Sequence, residues 1–207
     1  MDSFGIQNVD IVIDSSKYTK KAAIAQKQST RTAMGSAKWI TLHSHSSTAS
    51  ALQVLREQGY KIYASDLNPN SKDIRTLNWG CNINSHESNQ HDDSSTTKKR
   101  NASKICIVMG NEDVGISDEM RAGADETFTL PMVGFAESFN LSVATAITLA
   151  HISAKGDEGP IKAGDLDDHE INCLRLKWMM NSLAQKRMGK ALLKKHGVEL
   201  PKNFHKI

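Results

Sequence analysis

Cysteine is scarce in this chain. Cys81, Cys106 and Cys173 are scattered, odd in number and unpaired in spacing. They argue against a disulfide framework or a cysteine zinc site, and for a reducing compartment. Long apolar runs are missing too. No segment approaches the roughly 18 uninterrupted apolar residues of a membrane span, so no membrane partner is expected. The opening "MDSFGIQNVD" has no basic stretch leading into an apolar one, so no signal peptide is read there. Neither G-x-x-x-x-G-K-[ST] nor G-x-G-x-x-G occurs, which removes the P-loop and the usual dinucleotide fingerprint. From Cys81 to Lys104, "CNINSHESNQHDDSSTTKKRNASK" has one Ile and no other large apolar residue. Such a stretch cannot offset the entropy of ordering it, so it reads as a disordered surface insertion. Its His86 and His91 have no Cys beside them and read as solvated loop residues. No metal is expected.

What is present suits one domain with an appendage: 207 residues, 39% of them hydrophobic. "VDIVIDSS", "AKWITLHSHSS", "YKIYASDL", "KICIVMG" and "ETFTLPM" read as strands, short and rich in β-branched residues. "TKKAAIAQKQST" has helical composition. "STASALQVLREQGY" reads as a helix starting at Ser47 or Thr48 and stopping at Gly59. "DIRTLNW" reads as a short helix, "ISDEMRAGA" as another capped by Ser117 or Asp118, and residues 137–153 as a longer one. A linker, "KGDEGPIKAGD", leads to a helical tail from about Asp168 to His196. The alternation predicts an α/β fold, a mostly parallel sheet flanked by helices, with a C-terminal helical tail.

The net charge of +3 is mild, but its distribution is not. Beyond an acidic stretch, Asp165 to Glu170, come Arg175, Lys177, Lys186, Arg187, Lys190, Lys194, Lys195, Lys202 and Lys206, against Glu199 alone. A tail this one-sided is a candidate polyanion contact.

Ligands of parallel sheets sit beyond the carboxyl ends of the strands. Three stretches occupy such ends: "ASDL" (Ala64–Leu67), "GNEDVG" (Gly110–Gly115) and "PMVGFAES" (Pro131–Ser138). Gly110 would let a ligand approach the backbone closely, and Gly115 frees the next turn. Glu112 reads as a base, a hydrogen-bond acceptor or a helix-capping acid. Ser138 or Glu137 would cap the following helix, with Asn140 in its first turn. That helix, "FNLSVATAITLAHI", is apolar or small around nearly its whole circumference. It is expected to be buried on all sides, against the sheet and a second subunit, or wholly inside.

The segment "CIVMGNEDVGISDEMRAGADETFTLPMVGFAESFNLSVATAITLAH" resembles the second and third motifs of the SpoU (TrmH-type) RNA ribose 2′-O-methyltransferases of the SPOUT class. The matching elements are "GNE"-x-x-"GIS" after a strand, "AD" before one, "PM"-x-"G", and "SFNLSVA". "STRTAMGSAKWI" and "LREQGYKIYASDL" are similar to the family's linking segments. The resemblance covers roughly Phe4 to Ile152 apart from the insertion. It implies a methyltransferase domain over residues 1–155, with the insertion at about 81–104, and a linker and basic helical extension over 156–207.

It further implies a C-terminal trefoil knot, S-adenosylmethionine as cofactor, and a homodimer. Methyl transfer to a ribose 2′-hydroxyl makes RNA the partner, tRNA rather than rRNA. Carried over residue by residue, Asn111, Glu112, Ser138 and Asn140 shape the catalytic site. Ala64, Ser65, Gly110, Leu130, Met132, Ser138 and Leu141 hold the cofactor. Arg31 and the tail residues Lys186, Arg187, Lys190, Lys194 and Lys195 are assigned to RNA. A cytoplasmic location is expected, with the nucleolus or an organelle left open.

One departure stands out. The family's first motif, N-x-x-x-x-x-R-[ST]-A before an "FG" turn, is represented only by "SFG" at Ser3–Gly5. "TRTA" at Thr30–Ala33 is similar to its arginine end but lies downstream. The expectation is an N-terminally truncated chain, or an RNA-binding or assembly protein that keeps the donor fold without efficient transfer.

Overall fold

Parallel pairing orders the sheet that carries most of the motifs. The computed structural model describes residues 1–13, 39–79, 104–154, 166–183 and 186–199. Arg31, His86, His91, the helix expected at "TKKAAIAQKQST", all but Lys104 of the insertion, and the linker lie outside them. The chain divides into two compact units, His45–Lys162 and Met1–Ser44 with Ala163–Ile207.

In the first of these, α1 (Thr48–Glu57) leads into β3 (Tyr60–Ser65). Ser47 caps α1 by accepting the Ser50 N–H at 3.1 Å, and Gly59, at φ +78°, turns the chain into the strand. β4 (Lys72–Asp73), β5 (Lys104–Val108), α2 (Asp118–Gly123), β6 (Glu126–Thr129) and α3 (Leu141–Ala154) follow. The four strands are parallel, in the order β4-β6-β3-β5. β3 is central, with Ala64 opposite Val108 of β5 and Ser65 opposite Phe128 of β6. A mixed α/β fold with a parallel sheet is therefore present.

Two cores flank the sheet. On one side Tyr63, Ile74, Leu77, Trp79, Phe128, Leu130 and Ile152 pack together. Trp79 lies 4.8 Å from Tyr63 and 5.6 Å from Phe128, centroid to centroid. The Tyr63 hydroxyl donates to the Asn78 carbonyl at 2.8 Å, which lets a phenol be fully buried. On the other side Ala64, Ile116 and Met120 pack with Leu52, Val108 and Ala124. Each large side chain so buried contributes about 1.5–3 kcal/mol.

In the other unit, β1 (Asn8–Val12) and β2 (Thr41–His45) form a two-stranded sheet of their own instead of joining the parallel one. The helical tail is two helices, α4 (Asp168–Ser182) and α5 (Lys186–Lys195). A capping box between Asp167 and Glu170 starts α4. Leu183 leaves α4 in an extended conformation, which divides the helical tail. Gly189 of α5 meets α4 so closely that a Cβ would stand 2.6 Å from Leu183 Cδ1. Trp39 and Trp178 pack edge to face at 6.0 Å. Lys177 Nζ donates to Thr41 Oγ1 at 3.3 Å, and burial pushes its ammonium below its ordinary pKa.

Two further expectations are refined. The short helix at "DIRTLNW" is a single 3-10 turn, Ile74–Thr76, capped by Asp73, and Lys72–Asp73 extends as β4. The helix expected from 137 begins at Leu141, and within one chain it is buried along one side. Thr148 and Ile152 are buried, whereas Leu141, Val143 and Ile147 are 38–46% exposed.

Candidate active site at the carboxyl edge of the sheet

β3, β5 and β6 end side by side, so the segments after them share one edge. Ser65 ends β3, Gly110 follows β5, and Leu130 follows β6. The Asp66 N–H bonds the Phe128 carbonyl at 2.9 Å, extending the β3–β6 pairing to the mouth of the edge.

The "GNEDVG" segment is a closed loop. Asn111 and Gly115 exchange two backbone hydrogen bonds, both 2.9 Å. The Asn111 side chain accepts the Asp113 N–H at 2.8 Å. Gly115 sits at φ +68°, where a side chain is strained. A Cβ on Gly110 would stand 2.5 Å from the Gly115 carbonyl carbon. The room left by its missing side chain is thus used by the loop itself.

That loop is joined to the start of α3. Glu112 Oε1 accepts from Asn140 Nδ2 at 3.0 Å and from the Leu141 N–H at 3.1 Å. Asn140 Oδ1 in turn accepts the Ser142 N–H at 2.9 Å. Asn140 is therefore the cap of α3, a role expected of Ser138 or Glu137. A carboxylate at the helix N-terminus also meets the positive end of the dipole. The bonds place Asn111, Glu112 and Asn140 in one cluster; Ser138, two residues before the cap, is exposed.

The residues expected to hold the cofactor fall around the same edge, with different surroundings. Ala64 is fully buried and its side chain belongs to the core, so a ligand there would meet backbone. Ser65, Gly110 and Met132 are half-buried. Leu130 is buried in the core beside Phe128. Leu141 is 38% exposed at the head of α3. Val133 and Phe135, between Met132 and Ser138, are fully exposed. An apolar cleft of about 230 Å³ is lined by Ile74, Arg75, Leu130, Pro131, Phe139, Ile147 and His151.

A charge pair missed by sequence reasoning lies behind the edge. Arg121 of α2 donates to Asp66 from Nε at 2.6 Å and from Nη2 at 3.3 Å, and its Nη1 to Asp118. The Asp66 hydrogen bond holds the Arg121 guanidinium above its ordinary pKa. No local pattern marks a pair 55 residues apart.

In the tail, Lys190, Lys194 and Lys195 are exposed on α5, which also carries Lys186 and Arg187. Among the described residues no group of His, Cys, Asp and Glu could hold a metal ion, and no helix is long and apolar enough to cross a membrane. Cys106 and Cys173 are in no disulfide.

Comparison with known proteins fits this architecture. A tRNA (guanosine(18)-2'-O)-methyltransferase of Borreliella burgdorferi is 28% identical over 174 residues, covering 84% of this chain and 66% of the relative. The protein of that name from Escherichia coli K12 is 28% identical over 148 residues, covering 72% and 52%. The chain spans between half and two thirds of these relatives. Among solved structures, the A. aeolicus TrmH/SpoU tRNA modifying enzyme superposes with a TM-score of 0.61 at 23% identity, covering 88% of this chain and 79% of that one. An AdoMet-bound rRNA methyltransferase from Sinorhizobium meliloti gives 0.54 at 24% identity, covering 75% and 48%. The family model described as the SpoU rRNA Methylase family matches residues 1–150. This chain belongs to that family.

Proposed function

We propose that the protein transfers a methyl group from S-adenosylmethionine to a ribose 2′-hydroxyl of RNA, and that the RNA is tRNA. The observation that carries this reading is the joint between Glu112, Asn140 and the first amide of α3. It ties the loop after β5 to the segment after β6, so that the backbone of this edge is fixed in advance. The residues fit such a cofactor. Half-buried Ser65 and Gly110 offer backbone, and Met132 and Leu141 offer apolar surface.

When bound, S-adenosylmethionine supplies an electrophilic methyl group on a sulfonium. A ribose hydroxyl is a poor nucleophile and must be held in line with it. Glu112 and Asn140 serve as orienting groups. Oε1 of the carboxylate and both ends of the amide are committed to the joint, so these atoms hold the loop rigid. The exposure of Ser138 on the same segment suits a contact with the substrate. Family membership and the crossed strand order support a trefoil knot through residues 110–141. The half-exposed apolar residues of α3 support a homodimer that covers them. The cations of α5 suit phosphate contacts, which release counterions and weaken as salt rises. The scattered cysteines, with Cys106 and Cys173 in no disulfide, suit a reducing location such as the cytoplasm.

The test is incubation of the full chain with tritiated methyl donor and bulk tRNA. Label in an alkali-resistant 2′-O-methylated dinucleotide supports the reading. Binding of tRNA without incorporation would replace it with a non-catalytic RNA-binding role.

A further inference from the structure

Asp66, at the end of a linking segment and outside the second and third motifs, holds three elements together. Its backbone extends β3 along β6, and its carboxylate takes the fork of Arg121 from α2. The Asp66 side chain is 10% exposed and that of Arg121 35%. α2 starts directly after the Gly110–Gly115 loop, where Ser117 caps it. The pair therefore ties the strand end at Ala64–Ser65 to the element that carries the loop after β5. The fork is already shared between Asp66 and Asp118, which leaves it poorly disposed to take an RNA phosphate.

A second arginine–aspartate pair provides an internal comparison. At the amino ends of the strands, Arg56 Nη1 lies 3.1 Å from Asp125 Oδ1 and its Nη2 donates to the Gly123 carbonyl at 2.8 Å. Asp125 Oδ2 accepts the Ile62 N–H at 2.7 Å. Chemically the two pairs are alike, but only Asp66–Arg121 borders the candidate site.

We propose that Asp66 and Arg121 are positioning residues for the methyl donor, setting the spacing between the walls at Ala64–Ser65 and Gly110–Gly115. This rests on the donor reading given above. A lysine at 121 keeps the charge but not the bidentate fork, and an asparagine at 66 keeps the shape but not the charge.

The experiment measures S-adenosylhomocysteine affinity by calorimetry, tRNA retention on filters, and thermal unfolding, all on the full chain. The variants are Arg121→Lys, Asp66→Asn and, for comparison, Arg56→Lys. Arg121→Lys and Asp66→Asn are expected to weaken S-adenosylhomocysteine binding about tenfold or more, while tRNA retention stays within about twofold. Arg56→Lys is expected to lower the unfolding temperature and leave S-adenosylhomocysteine affinity within about twofold. Unchanged affinity in Arg121→Lys and Asp66→Asn overturns the inference alone. So does a loss in Arg56→Lys equal to theirs at matched unfolding temperature, which would mark a merely structural role. If the unaltered chain does not bind S-adenosylhomocysteine, the donor reading falls, and this inference with it.

Discussion

At the amino ends of β3 and β6 the connections are tight. Gly59 turns α1 into β3, and Ala124–Asp125 joins α2 to β6. Asp125 bonds Ile62 through both its backbone N–H and its side chain. At the carboxyl ends the segments are long: Asp66 to Ser71, Met109 to Ser117, Leu130 to Asn140. They expose Leu67, Val114, Val133 and Phe135, and a few bonds centred on Glu112 and Asp66 hold them in place. At β3 and β6 the amino edge is held by its own hydrogen bonds and serves stability. The other spends chain length on exposed surface, a cost that is retained where a ligand is bound.

The largest effect is expected from Glu112→Ala. Two donors at the head of α3 lose their acceptor, and methyl transfer should fall about a hundredfold or more with little loss of helix content. Tritium incorporation and circular dichroism check the two halves of that statement. Activity close to the unaltered chain's would deny the carboxyl edge its role.

Gly110→Ala comes next. The added methyl meets Gly115 backbone at 2.5 Å, which cannot rotate aside. The loop must open, at about 1–3 kcal/mol, measurable as a lower urea midpoint. A smaller change, about 0.5–1 kcal/mol, is expected from Arg56→Gln at the amino edge, because that guanidinium is half exposed. Methyl transfer should be retained there.

The smallest effect concerns pH. Hydrogen bonds from Arg75 hold the Asp73 carboxyl down from its ordinary 3.8 to about 2. A depressed carboxylate contributes stability that is present above its unfolded value and is lost as pH falls through the folded one. The stability gap between the unaltered chain and Arg75→Gln should therefore be constant near neutrality and close between about pH 4 and pH 2. A gap that widens on acidification would contradict the assignment.

The strands of the parallel sheet were legible because burial on both faces writes itself as short apolar runs, as in "KICIVMG" and "YKIYASDL". Ser117 was legible as a cap because its partner, the Met120 N–H, is three residues away. The start of α3 was not. Its first amide is satisfied by Glu112, 29 residues upstream, and no local signal carries that distance. The composition of α3 reports every surface it can cover, and within one chain the line through Thr148 and Ile152 is the covered part. β4 was missed because two residues are too few to show an alternation. The motif residues Asn111, Glu112 and Asn140 were legible as a site through the family resemblance; their hydrogen bonding was not.

The central claim is that the donor occupies the carboxyl edge of this sheet. Amide hydrogen exchange of the full chain, with and without S-adenosylhomocysteine, tests it most directly. Slowed exchange is predicted at Ser65–Asp66, Gly110–Ile116 and Met132–Leu141, with no change at Tyr60–Ile62 or Gly123–Asp125. Protection at the amino edge alone, or none at the carboxyl edge under saturating ligand, would contradict it.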